Sequence, residues 1–136
     1  MKINSAKDLK VYKEAYNLAM DIFVISKHWP PEEKYSLTEQ IRRTSRSVCT
    51  NLREAWSKRR YKTHFIMKLT DCDGENGETD TWLDFAKDCA YLNEADHHRL
   101  NGRCVSVGKM LGSMLMNPEP LLLRLGLQRF RGSAAL

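Results

Sequence analysis

Residues 65–90 read FIMKLTDCDGENGETDTWLDFAKDCA, and the fold turns on whether this stretch is one helix or two pieces joined by an acidic loop. Propensity argues for the loop. Gly74 and Gly77 each cost a helix about 1 kcal/mol relative to alanine, and Asp71, Asp73, Glu75 and Glu78 crowd around them. Periodicity argues for the helix. Phe65, Leu69, Cys72, Asn76, Thr79, Leu83, Ala86 and Ala90 recur in alternating steps of four and three, and the rhythm crosses both glycines without a change of phase. A loop has no reason to keep a helical seam in register. The stretch therefore reads as the seam of a single helix spanning about 62–91.

The flanking sequence supplies three more helices. Upstream, Ser36-Leu-Thr-Glu39 spells a capping box, with Ser36 as N-cap and Glu39 as its reciprocal acid. Leu37, Ile41, Val48, Leu52 and Ala55 mark the buried face of a helix over 36–60. Before it, Ser5 with Asp8 opens a helix over 6–28, which Trp29-Pro30-Pro31 ends. That helix carries two apolar stripes. Leu9, Tyr12, Tyr16, Ala19 and Phe23 form a heptad-type seam, and Val11, Ala15, Leu18, Ile22 and Ile25 lie beside it. Downstream, Asn93 caps a helix over 94–116, with Asp96 at its third position. Its stripe is Leu100, Cys104, Val107, Leu111 and Met114, and Asn117-Pro118 stops it. Gly108 and Gly112 mark a candidate close helix contact. The expectation is an all-α, antiparallel up-down four-helix bundle over residues 1–118. The tail over 119–136 mixes leucines with arginines and is assigned no role; its last residues, GSAAL, resemble a fusion scar as much as a structural element.

Composition agrees. With 136 residues the chain fits one domain large enough to bury a core without staples. Only 7 glycines and 4 prolines leave few turns, which favours long helices over many strands. The N-terminal MKINSAKDLK has no apolar signal core, and no apolar run is long enough to span a membrane. The expected location is cytoplasmic. Cys49, Cys72, Cys89 and Cys104 are widely and irregularly spaced without a C-x-x-C pair, which fits small apolar side chains better than zinc ligands.

The net charge of +5 is less informative than its layout. Residues 42–68 hold nine positive charges and one negative, Glu54; residues 69–96 hold nine negative and one positive, Lys87. Arg42, Arg46 and Arg53 share a helical face, Arg43 sits beside them, and Lys58, Arg59, Arg60 and Lys62 form a dense patch with Trp56 and Tyr61 interleaved. Such a surface suits phosphate binding, and its aromatics suit stacking on unpaired bases. Two other readings stand beside that one. The arginines pair with the acidic block inside a hairpin of the second and third helices, or one subunit's basic block meets a neighbour's acidic one.

The remaining candidates point away from chemistry. The run Asp71-Cys-Asp73-Gly-Glu75 fails the calcium-loop template, because its sixth position is Asn76 and its twelfth is Trp82. His64, His97 and His98 lack the H-E-x-x-H spacing. No cofactor, metal or catalytic group is expected.

Several of these residues together carry a family resemblance. Tyr35-Ser-Leu-Thr-Glu-Gln-Ile-Arg-Arg-Thr-Ser-Arg-Ser-Val48 resembles the Y-x-L-T-x-Q-I-R-R-A-x-x-S-I element of the bacterial four-helix-bundle proteins encoded by intervening sequences within 23S rRNA genes. Leu9-Lys-Val-Tyr12, Asn51 with Glu54-Ala55, Phe65-Ile66, Leu83-Asp-Phe-Ala-Lys-Asp88 and Tyr91 extend the likeness over about residues 9–115. Arg46 and Arg53 depart from the pattern, which favours small or apolar residues there. The resemblance implies a bundle that assembles into a homo-oligomeric ring, a pentamer, with no enzymatic activity. It also reaches the accessory variability determinant of diversity-generating retroelements. That link implies contact with RNA or DNA and with a protein partner, a reverse transcriptase, through a basic surface. The expected function is thus an oligomeric scaffold or interaction protein; the alternative is a nucleic-acid-binding accessory factor that uses Arg42, Arg43, Arg46, Lys58, Arg59, Arg60 and Lys62.

Overall fold

The computed structural model describes residues 2–123, which form four α-helices and three short 3-10 turns, with no strand among them. The helices are α1 Lys10–Ser26, α2 Leu37–Ser57, α3 Lys62–Asp88 and α4 Glu94–Met116. Each packs on its neighbours in sequence, and α4 closes on α1, whereas the α1–α3 and α2–α4 diagonals do not touch. Cross-helix pairs fix the directions. Thr44 meets Thr79 and Glu54 meets Lys68, so partners fall on α3 as they rise on α2. Asn76 meets Cys104, Asp80 meets Asn101 and Asp84 meets His97 in the same opposed order on α3 and α4. The architecture is the expected up-down four-helix bundle.

α3 runs unbroken through Gly74 and Gly77. Phe65, Leu69 and Leu83 are buried to 1% exposure or less, and each such burial stabilises by about 1.5–3 kcal/mol. That outweighs the roughly 2 kcal/mol the two glycines cost together. The polar middle of the seam is satisfied rather than solvated. Asn76 Nδ2 donates to the Cys104 carbonyl of α4 at 2.9 Å, and Thr79 Oγ1 lies 2.9 Å from both Thr44 Oγ1 of α2 and the Glu75 carbonyl. Gly108 on α4 makes room for this: a Cβ there would stand 3.4 Å from Asn76 Nδ2. Gly112 has no such neighbour.

Three expectations are corrected. Ala90 does not continue the seam. It is exposed, at φ 65, in the left-handed turn that ends α3, where Tyr91 and Leu92 donate their N–H groups to the Ala86 carbonyl. On α1 the expected seam is core only in part. Val11, Ala15, Leu18 and Ile22 fill the core together with Leu9 and Ala19 of the first stripe, while Tyr16 is half exposed and Tyr12 and Phe23 lie at the rim. The Ser5–Asp8 box does form, but around a 3-10 turn over Ala6–Asp8 that precedes α1. The predicted box at Ser36 and Glu39 does not form, since Ser36 makes no side-chain cap bond. Glu33, one turn earlier, takes its place: its Oε1 accepts from Leu37 N at 3.3 Å and its Oε2 from the Tyr91 hydroxyl at 2.9 Å. The cap at Asn93 stands, accepting from Asp96 N at 2.7 Å.

Two predictions follow from these termini. Ala90→Gly removes the left-handed penalty of a side-chain-bearing residue and raises stability by about 1 kcal/mol in urea unfolding; a fall would mean that the turn is not strained. The Tyr91 hydrogen bond, with that from Leu37 N, holds the Glu33 carboxyl below its ordinary range. A depressed carboxyl stabilises above the unfolded-state value and loses that contribution as pH falls through the folded one. Glu33→Gln should therefore lower the urea midpoint at neutral pH more than Ser36→Ala does, with the Glu33 effect vanishing in acid.

Candidate interaction surface

α2 turns Leu37, Ile41, Thr44, Ser45, Val48, Leu52 and Ala55 inward, and this leaves its arginines on the outer crest. Arg42 is partly buried. Its Nε donates to Ser26 Oγ at 2.8 Å and its guanidinium lies 4.8 Å from the Phe23 ring centroid, so it closes the C-terminal turn of α1, where a cation is favoured. Burial, with Arg46 beside it, lowers its pKa. Arg46 covers the same ring at 5.5 Å. Arg43 leans the other way, 3.3 Å from Gln40 Oε1 and 3.7 Å from Glu75 of α3. Together with Lys34, Tyr35 and Thr38 these arginines line an open groove of about 570 Å³. Tyr35 stands 79% exposed at its mouth, with the Lys34 ammonium 5.3 Å above its ring.

The other half of the cluster lies at the turn between α2 and α3, about 18 Å along the helix axis from Arg46. Two of its four cations are already engaged. Arg59 stacks on Trp56, 3.4 Å from the ring centroid, donates Nε to the Trp56 carbonyl at 2.8 Å, and accepts Leu123 N at its own carbonyl at 3.1 Å; burial lowers its pKa. Lys62 pairs with Glu119 at 2.7 Å. Lys58 and Arg60 are exposed. The structure thus brings Arg42, Arg43 and Arg46 together and holds Lys58, Arg59, Arg60 and Lys62 apart from them. Sequence reasoning missed Lys34 and Tyr35, which the Pro30–Pro31 turn folds beside α2. It also missed the segment from Pro118 to Leu123, which straps the lower end; the rest of the tail, 124–136, lies outside the described residues.

Internal pairing between the basic and acidic blocks is slight. The ion pairs between them are Arg43–Glu75 at 3.7 Å and Lys68–Asp71 at 3.4 Å, whereas Glu54–Lys68, at 2.8 Å, lies within the basic block. Among the described residues Arg46, Arg53, Lys58 and Arg60 have no carboxylate at ion-pair distance, and Asp73, Glu78 and Asp88 have no cation. Asp71, Glu75 and Glu78 line a cleft of about 450 Å³ with Asn51, Thr70 and Gly74. Burial, then the charge of Glu78, raises the Glu75 pKa. This acidic run is helix throughout, so it cannot wrap a cation as a loop does.

Among the described residues no group of three or more His, Cys, Asp or Glu is placed to hold a metal, and no helix is long and apolar enough to cross a membrane. His97 Nε2 sits 2.8 Å from Asp84 Oδ1. Burial pushes the Cys49 thiol up to about 11 and those of Cys72 and Cys104 up to about 12. A thiol so far above neutrality holds almost no thiolate, which is the reactive form. An aromatic disulfide reagent at pH 8 should therefore titrate one thiol rapidly, the exposed Cys89, and the other three only with unfolding. Rapid reaction of two or more would contradict the buried placement.

The family model described as 23S rRNA-intervening sequence protein matches residues 7–113. Among solved structures, a protein of unknown function from the S23 ribosomal protein family of Bacteroides thetaiotaomicron VPI-5482 is similar at 26% identity and a TM-score of 0.71, over 79% of this chain and 96% of that one. No curated protein matches.

Proposed function

The chain belongs to the 23S rRNA-intervening sequence protein family, and on that premise we propose that it is a non-enzymatic scaffold that works by self-association. The observation that carries this reading is the set of unpaired charges on neighbouring crests. Arg46, Lys58 and Arg60 on one side and Asp73, Glu78 and Asp88 on the other make no ion pair among the described residues of their own chain. Surfaces segregated by sign steer association and fix its register. Buried thiols of raised pKa and a core filled by side chains offer no activated nucleophile, which supports binding over catalysis. A ring of five copies is the assembly that the family likeness implies. Light scattering on the full chain at micromolar concentration should give a mass of several subunits; a single-chain mass would reject the reading.

A second reading has its own support. The groove beside α2 combines Lys34, Arg42, Arg43 and Arg46 with a freely exposed Tyr35 ring, which is the pairing of cations and an aromatic platform that suits a single-stranded nucleic acid. On this reading Arg43→Ala with Arg46→Ala weakens binding of mixed-sequence RNA and DNA oligonucleotides. The salt dependence becomes shallower by about 0.7 per cation removed. Absence of salt-sensitive binding at low ionic strength would reject it.

A further inference from the structure

α1 carries an outward crest that its own bundle does not use. Lys13, Tyr16, Met20, Val24 and Lys27 follow one another at helical steps of three and four, and Tyr16, Met20 and Val24 are 51%, 45% and 54% exposed. Tyr12 stacks on Tyr16 at 6.3 Å and widens the apolar strip. The core is filled from the opposite face by Val11, Ala15, Leu18 and Ile22, so nothing inside the fold requires these side chains to be apolar. A contiguous exposed strip of this kind marks an interface. Its two lysines bracket it about 21 Å apart.

We infer that this crest seats on the outer crest of α3 of a second copy, an inference that rests on the self-association reading above. The α3 crest complements it in shape. Met67 and Phe85 stand 60% and 53% exposed toward its two ends, and the low residues Thr70, Gly74 and Thr81 lie between them with the carboxylate of Glu78. A Cβ at Gly74 or Gly77 would meet nothing within 4 Å, so the fold itself makes no use of the missing side chains. A low crest lets a second helix axis approach toward the short end of the 8–10 Å packing range. Charge complements it too, since Glu78 lies on the α3 crest and Asp71 and Asp88 edge it, while lysines end that of α1. The alternatives in which like meets like are disfavoured. Two α1 crests packed antiparallel would set Lys13 against Lys27, and two α3 crests would bring carboxylates together.

Topology then dictates the kind of assembly. α1 and α3 are diagonal in the bundle and do not touch, so the two crests face away on opposite sides of the subunit. The contact is head-to-tail, and it propagates until it closes into a ring or continues as a fibre.

The test uses two full-length variants, each blocked on one face. Met20→Glu buries a charge in the α1 contact, and Gly74→Leu fills the α3 crest; both sites are open in the subunit, and circular dichroism verifies that helix content is kept. Met67→Glu serves as the alternative block of α3. Multi-angle light scattering should give a multi-subunit mass for the wild type and a one-chain mass for each variant. An equimolar mixture of the α1-blocked and α3-blocked chains should give a two-chain mass and go no further, because the single intact surface of each kind is used up in the pair. A variant that keeps the wild-type mass, or a mixture that stays at one chain, overturns the α1-on-α3 contact while leaving self-association intact. A wild type of one-chain mass overturns both.

Discussion

The continuity of α3 is the constraint on which the rest of this structure depends. If the helix broke at Gly74–Gly77, the chain would lose the middle of one wall of its core. What prevents the break is tertiary. Leu69 and Cys72 on one side and Leu83 and Ala86 on the other are buried without exposed surface, and the turns between them are tied to both neighbouring helices. Asn76 reaches the Cys104 carbonyl of α4, and Thr79 reaches Thr44 of α2. A buried amide or hydroxyl without a partner costs roughly 1–3 kcal/mol, so these polar layers hold only one register of the three helices. The glycines are carried by their surroundings, and the polar seam that looks like a weakness locally fixes the alignment globally.

That division explains what could be read from the sequence. The four helices, their order and most of the core follow from periodicity, because a seam that recurs at 3.5 residues leaves its mark on residue choice. Terminal detail does not. Ser36 has the right neighbours for a capping box, yet the turn through Pro31–Glu33 brings Glu33 to the helix end first. Ala90 keeps the spacing of the seam one step past the point where the helix stops. On α1 both stripes, one rich in aromatics and one aliphatic, are apolar, and only the placement of α2 and α4 decides that Tyr16 stands outside the core. Of the candidate basic surface, the trio Arg42, Arg43 and Arg46 was legible as one helical face. Lys34 and Tyr35 were not, because a loop sets their position, and the engagement of Lys62 depends on Glu119, more than fifty residues downstream.

The charge layout takes on a different meaning once the helices are in place. A basic block followed by an acidic block suggests a hairpin zipped by ion pairs. The hairpin forms, but its seam is made of Ile41, Val48, Leu52, Leu69 and Leu83, and the charges ride on the outer crests with little contact between them. Exposed ion pairs contribute about 0–1 kcal/mol each, so the fold loses little by leaving them unmade. Charges kept apart in this way remain available to something outside the subunit.

The same logic extends to α3 as a whole. A helix that gives up roughly 2 kcal/mol to two glycines without a close internal contact at either one is less stable than its own core requires. Gly108, by contrast, faces Asn76 directly and is explained from within. No internal packing partner accounts for Gly74 and Gly77 on the outward face of α3, nor for Gly102 and Gly112 on α4. The apolar crest of α1, on the opposite corner and equally unneeded by the core, is the surface of matching shape and opposite charge. On the proposed α1-on-α3 contact, bulk on α1 and its lack on α3 are the two halves of one interface between copies.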